Sequence, residues 1–229
     1  MHRNVTGSGF RSALVGLTSW GITAFARLLT AVQPSWQGFD PAERRQRIYF
    51  ANHVSHGDFV LIWTVLPKGQ RHRTRPVAGA DYWRKGGLRE FIGSDVFNSL
   101  LIERNREGAG DDPIAQMAAA LDESSSLIIF PEGTRNLTDA ELLEFRSGIY
   151  RLARSRPEVD VVPVWIDNLN RVLPKGSFVP IPLMCKVIFG APLRVGAHED
   201  KDHFLSRARM ALLALKPQMG GADVASLSA

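Results

Sequence analysis

Cysteine is nearly missing from this chain: Cys185 is the sole thiol in 229 residues. One thiol excludes an intramolecular disulfide framework and fits a reducing compartment. Cys185 also sits in the apolar run Ile181 to Phe189, where it reads as a small buried side chain rather than a nucleophile. No Gly-x-Ser-x-Gly elbow occurs, so a covalent Ser or Cys intermediate has no support. Aromatic residues make up 9% and form no stacking-platform pattern, and no zinc-knuckle or RNA-recognition signature accompanies them, so nucleic acid is not an expected partner. A clean membrane span is missing too. Ser12 to Ala26 is uncharged, but its 15 residues rise only about 22 Å as a helix, against a hydrocarbon core of about 30 Å. Pro34 interrupts the uncharged continuation from Leu28 to Phe39. Arg3 and Arg11 precede the stretch as in an export signal, yet no clear small-x-small cleavage site follows and the lone cysteine argues against export.

What the chain does have is apolar content of 45% and a formal charge of +5 with pI near 9.7. Most of it should fold as one large domain. A basic surface suits anionic partners, and with nucleic acid set aside a phosphorylated substrate or an anionic bilayer remains. The amino-terminal run then reads as an interfacial or re-entrant helix, the alternative being a helix packed on the protein's own core. Trp20, Phe25 and Trp36 would sit at headgroup depth, with Arg11 and Arg27 near lipid phosphates. The expected organisation is a membrane-associating segment over 1–40, a catalytic domain over 41–216 and a flexible tail over 217–229.

Within the main domain, strands are expected at Arg47 to Ala51, Pro76 to Ala80, Val96 to Ile102, Leu127 to Phe130, Val159 to Ile166 and Met184 to Phe189. Helices are expected at Phe59 to Leu66, Asp81 to Phe91, Pro113 to Leu121, Leu142 to Arg154 and Lys201 to Leu215, with Lys68 to Arg75 a basic loop. Asp112 as N-cap and Pro113 at the first position mark one start clearly. Strands alternating with helices predict an α/β architecture whose central sheet is mixed but mostly parallel.

Two stretches carry the chemistry. The first, Asn52-His53-Val54-Ser55-His56-Gly57-Asp58, follows a buried strand. A His and an Asp five positions apart do not meet inside a regular helix, so the pair needs a turn at a helix entrance, for which Gly57 is suited. There Asp58 can accept from one imidazole N–H, fix the tautomer and leave the other nitrogen as a general base for an alcohol. His53-x-x-His56-x-Asp58 could also be read as a metal cluster, but no fourth ligand accompanies it and no metal is expected. The second stretch, Phe130-Pro131-Glu132-Gly133-Thr134-Arg135, follows another strand. Gly133 lets backbone approach a ligand and Arg135 can grip a phosphate bidentately. Glu132 is out of place beside an anion, and its options are to anchor Arg135 or backbone N–H groups, or to contact an acceptor hydroxyl. Arg104 supplies a second cation.

These residues resemble the glycerolipid acyltransferase family, which includes the 1-acylglycerol-3-phosphate (lysophosphatidate) acyltransferases. Four blocks appear in order. Asn52-His53-x-Ser55-x-x-Asp58 looks like the first, Phe97 to Arg104 a looser second, Phe130 to Arg135 the third, and Val162-Pro163-Val164 the fourth. Phe145-Arg146-Ser147-Gly148 resembles the Phe-Lys-x-Gly that trails the third block, with Arg for Lys. The resemblance covers about Arg47 to Pro192. It implies the family's α/β fold with an amphipathic amino-terminal helix, and transfer of a fatty acyl group from acyl-CoA or acyl carrier protein to a lysophospholipid hydroxyl, first that of 1-acyl-sn-glycerol-3-phosphate. The alternatives are another lyso-lipid acceptor, or a thioesterase-like hydrolase using the same His/Asp pair on water. His53 and Asp58 would be the catalytic dyad. Arg104, Glu132, Gly133, Thr134 and Arg135 would seat the acceptor phosphate. Asn52, Ser55, Pro131, Val162 and Pro163 would give acyl-side or structural support. A thioester brings its own leaving group, so no cofactor is expected. The resemblance places the protein on the cytoplasmic face of the cell membrane as a peripheral or monotopic enzyme.

Overall fold

The central strands of this protein are buried on both faces, which is why they read as continuous apolar runs rather than alternating ones. The computed structural model describes residues 5–55, 57–84, 86–103, 112–167 and 185–217. Seven strands form one sheet: β1 (Gln33–Trp36), β2 (Arg47–Ala51), β3 (Thr74–Gly79), β4 (Leu100–Ile102), β5 (Ser126–Ile129), β6 (Asp160–Asp167) and β7 (Lys186–Phe189). Their spatial order is β1-β7-β6-β2-β5-β3-β4, and every neighbouring pair is parallel except β6 with β7. The sheet is thus mixed and mostly parallel, as its alternation with helices implies.

Side chains along each central strand divide between two cores. Ile48, Phe50, Leu127, Ile129, Val161 and Trp165 point to one face. There they meet α6 (Pro113–Asp122), α7 (Gly148–Ser155) and α8 (Lys201–Leu213) through residues such as Leu121, Leu152 and Phe204. Tyr49, Ala51, Ile128, Val162, Val164 and Ile166 point to the other face, under Phe59, Leu61, Ile62 and Trp63 of α2 (Asp58–Val65). Asp112 caps α6 by accepting from Ile114 N, and Pro113 takes the first turn, where a missing N–H costs nothing.

Several elements depart from the sequence expectation for local reasons. Gln33–Trp36 is too polar to read as a strand, yet it pairs with β7 as a sheet edge, where Pro34 is tolerated. Trp36 stacks on Phe189 at 4.0 Å, so it belongs to the sheet's packing and not to a headgroup layer. The basic loop at Lys68 to Arg75 instead forms a helical turn, α3 (Lys68–Arg71), and then enters β3 at Thr74. Arg71 Nη2 holds the turn by donating to Thr64 O (2.7 Å) and Leu66 O (3.1 Å) at the end of α2. The single helix expected over Asp81 to Phe91 is split into α4 (Ala80–Trp83) and α5 (Gly87–Glu90), because Gly86 and Gly87 take φ of +76° and +66°. A π-helical segment, Phe91–Val96, follows, and Asn98 at φ +49° shortens the expected strand to Leu100–Ile102. Pro163 lies inside β6, where the β7 ladder ends at Val164 with Phe189 and Gly190 N donates to Pro163 O (2.9 Å). Cys185 is fully buried beside the start of β7, and burial pushes its thiol up to about 11.

The amino-terminal helix α1 (Val5–Thr30) packs beside α2 and the π-helical segment, with Thr23 and Ala26 buried and Arg11 paired to Asp95 at 2.8 Å. Leu17, Trp20 and Phe25 are 66%, 70% and 65% exposed. At 100° per residue Leu17 and Phe25 lie on the side of the helix away from Thr23 and Ala26, while Trp20 flanks Thr23. No described helix is long and apolar enough to cross a membrane.

Candidate active site

The site grows from the carboxyl ends of β2 and β5, two adjacent parallel strands. Such strand ends are where open α/β sheets bind ligands. β2 stops because Asn52 turns its side chain sideways to β6. Its Oδ1 accepts from Ile166 N (2.8 Å) and its Nδ2 donates to Ile166 O (3.1 Å). The amide thereby replaces one step of ladder and releases the backbone at His53.

Asp58, the first residue of α2, closes the loop that follows. One carboxylate oxygen, Oδ2, takes Val54 N (2.7 Å), Ser55 N (2.9 Å) and His53 Nδ1 (2.8 Å). A carboxylate is acceptor-only, so the imidazole donates from Nδ1 and leaves Nε2 with a free lone pair. Asp58 is wholly buried and His53 keeps 18% of its side chain exposed. Charge-assisted bonds and the amino-terminal end of α2 offset the cost of burying that charge. Gly57 sits at φ −86°, which any residue adopts, so Asp58 makes the turn, and glycine's freedom is not used. Ser55 helps, with Oγ accepting from Gly57 N (3.2 Å).

The second motif wraps the first. Phe130 stacks on the His53 ring at 4.1 Å, nearly parallel. Asn136 N donates to His53 O (2.7 Å). Glu132 is 3% exposed, and both its oxygens hold backbone: Oε1 accepts from His53 N (2.9 Å) and Oε2 from Leu143 N (2.8 Å). Burial raises its pKa, partly offset by those two N–H groups. Of the options open to Glu132, the chain uses it to anchor backbone, with no carboxylate oxygen turned to an acceptor. Pro131 is buried in the same turn and its carbonyl accepts from Arg146 N (2.8 Å).

Gly133 takes φ +70°, and a Cβ there would fall 2.4 Å from Arg146 Nε. The bonds from Leu143 N to Glu132 and from Arg146 N to Pro131 O hold Leu142 to Ser147 out of the helix expected over Leu142 to Arg154, and α7 begins only at Gly148. Thr134 is exposed and Arg135 half-buried, and neither Arg135 nor Arg146 has an ion-pair partner among the described residues. Val162 and Pro163 are buried in β6, opposite Tyr49 and Phe50, so the fourth block flanks the strand that delivers His53 and is not itself open to solvent. Phe97 of the second block packs edge-on against Phe59 and Trp63 of α2. Arg104 and His56 lie outside the described residues, and so does the tail after Pro217. Among the described residues no group of three His, Cys, Asp or Glu side chains could hold a metal ion. Two contributors escaped the sequence reading: the Phe130 ring beside the base, and Arg146 over Gly133. The latter's only signal was the Phe-Arg-Ser-Gly segment.

A family model described as Acyltransferase matches residues 35–167, more than half of the chain, and the chain belongs to that acyltransferase family. Among its relatives, a 1-acyl-sn-glycerol-3-phosphate acyltransferase from Cocos nucifera is 29% identical over 168 residues, 69% of this chain and 50% of that protein. One of the same description from Limnanthes douglasii is 28% identical over 155 residues, 66% of this chain and 52% of that protein. The chain spans about half the length of the curated relatives it matches. The crystal structure of the 1-acyl-sn-glycerophosphate (LPA) acyltransferase PlsC from Thermotoga maritima superposes with TM-score 0.66 over 92% of this chain and 82% of that one. At 17% identity this likeness speaks for the fold alone.

Proposed function

We propose that the protein moves a fatty acyl group from a thioester, acyl-CoA or acyl-acyl carrier protein, to the free hydroxyl of a lysophospholipid. The first candidate acceptor is 1-acyl-sn-glycerol-3-phosphate, which would give phosphatidate. The observation that carries the reading is the Asp58–His53 pair at 2.8 Å, with Nε2 left free beside a turn whose Arg135 has no ion-pair partner among the described residues. The relatives' descriptions point to the same acceptor.

In this mechanism His53 Nε2 takes the acceptor's hydroxyl proton as its oxygen bonds to the thioester carbonyl carbon. Asp58 orients the ring and stabilises the imidazolium. The carbonyl oxygen gains the negative charge, which backbone N–H groups of the 131–136 turn stabilise. The N–H groups of Gly133 and Asn136 are already taken by Phe130 O and His53 O, which leaves those of Glu132, Thr134 and Arg135 for this role. Collapse expels the thiolate, which takes the proton back from His53. Arg135 seats the acceptor phosphate together with Arg104, on the frame that Glu132, Gly133 and Thr134 make. Asn52, Ser55 and Pro131 hold the loops, and Val162 and Pro163 back the acyl side. The thioester supplies the leaving group, so the steps call for no metal or nucleotide.

The same reading puts the protein on a bilayer surface at the cytoplasmic face, peripheral or monotopic. Its support is the exposed Leu17, Trp20 and Phe25 on α1, together with the net positive charge. The test is a purified protein offered acyl-CoA and acyl-acyl carrier protein against a panel of lyso-lipids, read by mass spectrometry. Acceptor-dependent phosphatidate is the expected product. Free fatty acid released without any acceptor would make the protein a hydrolase and overturn the proposal. Acylation of a different lyso-lipid alone would overturn the acceptor while leaving the reaction class.

A further inference from the structure

We infer that Arg146 is a further guanidinium of the acceptor-phosphate seat, beside Arg135 and Arg104, and lies against the bare backbone of Gly133; this rests on the acyl-transfer reading above. A Cβ at Gly133 would lie 2.4 Å from Arg146 Nε, 2.7 Å from Cδ and 3.1 Å from Cζ. The start of the guanidinium therefore lies against the glycine's open face. Gly133 is needed twice, for its φ of +70° and for this contact. The other end of Arg146 is tied to the same turn, since its backbone N donates to Pro131 O at 2.8 Å. A side chain that starts from a tied backbone and lies against Gly133 has less freedom to lose when it grips a ligand.

Such an arginine ordinarily finds a carboxylate. Arg146 is exposed and has no ion-pair partner among the described residues. The motif's own acid does not neutralise it, because Glu132 spends both oxygens on the N–H groups of His53 and Leu143. Arg135 is likewise unpaired and stands one residue before Asn136, whose N–H bonds His53 O at 2.7 Å. Two guanidiniums without an ion-pair partner among the described residues therefore stand on segments whose backbones are tied together: Arg146 to Pro131, and Asn136, next to Arg135, to His53. A phosphate monoester carries close to two negative charges at neutral pH, with oxygens spaced for forked donors. The chemistry that fits is a phosphomonoester acceptor in preference to a neutral glyceride.

Steady-state kinetics on Arg146→Ala test this directly. Loss of a hydrogen-bonded charge should raise KM for lysophosphatidate about tenfold to a hundredfold. KM for the acyl thioester and the rate with monoacylglycerol as acceptor should stay within about threefold. Arg146→Lys should recover part of the loss, and Gly133→Ala should reproduce it by displacing the guanidinium while leaving the charge in the chain. A binding titration with glycerol 3-phosphate supplies a readout apart from turnover. If Arg146→Ala and wild type match in both KM and titration while wild type acylates lysophosphatidate, Arg146 only covers Gly133 and the inference is overturned. If wild type binds glycerol 3-phosphate, Arg146→Ala does not, and no acyl transfer occurs with any donor, the anion seat stands and the reaction reading fails instead.

Discussion

Asp58→Asn reports most sharply on the site. In the native protein a single oxygen of this buried carboxylate takes three N–H donors at 2.7, 2.8 and 2.9 Å. Hydrogen bonds to a charged acceptor are worth about 1.5–3 kcal/mol, and those to a neutral one about 0.5–1.5 kcal/mol. Three such downgrades cost about 3 kcal/mol. The amide must also place its NH₂ at the position of Oδ1, which is buried without a partner among the described residues. An unsatisfied buried donor adds about 1–3 kcal/mol. The sum, about 4–6 kcal/mol, leaves the fold standing only if its stability lies above the bottom of the usual range of about 5–15 kcal/mol, and then with a clearly lowered melting temperature. The catalytic loss is separate. Without the carboxylate, the Nδ1–H tautomer is no longer enforced and the imidazolium is no longer stabilised. By analogy with hydrolase triads the turnover falls by about 10⁴, or about 5.5 kcal/mol of barrier. The assay is acyl transfer at saturating donor and acceptor, with circular dichroism confirming the fold at the assay temperature. Turnover within about tenfold of wild type, in a folded variant, would refute the assignment of Asp58.

Three further outcomes follow from the same contacts. Glu132→Ala should unfold in urea with stability lowered by about 2–6 kcal/mol, since it strands two buried N–H groups at about 1–3 kcal/mol each, whereas Glu132→Gln should lose less; equal stability of all three proteins would contradict the bracing role. Arg207 holds Glu199 down to about 2 from its ordinary 4.5, chiefly through its side-chain hydrogen bond. A depressed carboxylate stabilises the fold above its unfolded value, so this contribution is intact above pH 4.5 and is lost as pH falls toward about 2. Glu199→Gln should therefore flatten the acid limb of a stability-against-pH curve, and an unchanged limb would contradict the pairing. Replacing Trp20 and Phe25, both largely exposed on α1, with Ser should weaken sedimentation with anionic vesicles severalfold without changing the melting temperature; unchanged binding would remove α1 from membrane contact.

The parts of the fold that the sequence announces are those whose physics is local. Arg47–Ala51, Ser126–Ile129 and Asp160–Asp167 are buried on both faces, so they stand out as apolar runs. Asp112-Pro113 marks a helix start through capping alone. Gln33–Trp36 carries no such mark, because its strand character comes from pairing with Lys186–Phe189, far along the chain. Leu142 to Ser147 has helical composition, yet bonds from Glu132 to Leu143 and from Arg146 to Pro131 hold it otherwise. At the site, the five-residue spacing of His53 and Asp58 already demands a turn, and the turn is there. Its chemistry differs from expectation, since Gly57 contributes no special φ and Asp58 does the closing. Glu132 as a brace, Phe130 on the ring and Arg146 over Gly133 each depend on two segments meeting, and no periodicity within one segment encodes that.

The central claim is that His53 draws the proton from a lipid alcohol as the acyl group moves. The most direct measurement mixes acyl-CoA with lysophosphatidate and follows phosphatidate and free thiol together, in wild type and in a folded His53→Ala variant. The account predicts equal amounts of phosphatidate and thiol from wild type, thiol release only when acceptor is present, and loss of both by at least about a thousandfold in the variant. Phosphatidate formed by His53→Ala at a rate near wild type would contradict it.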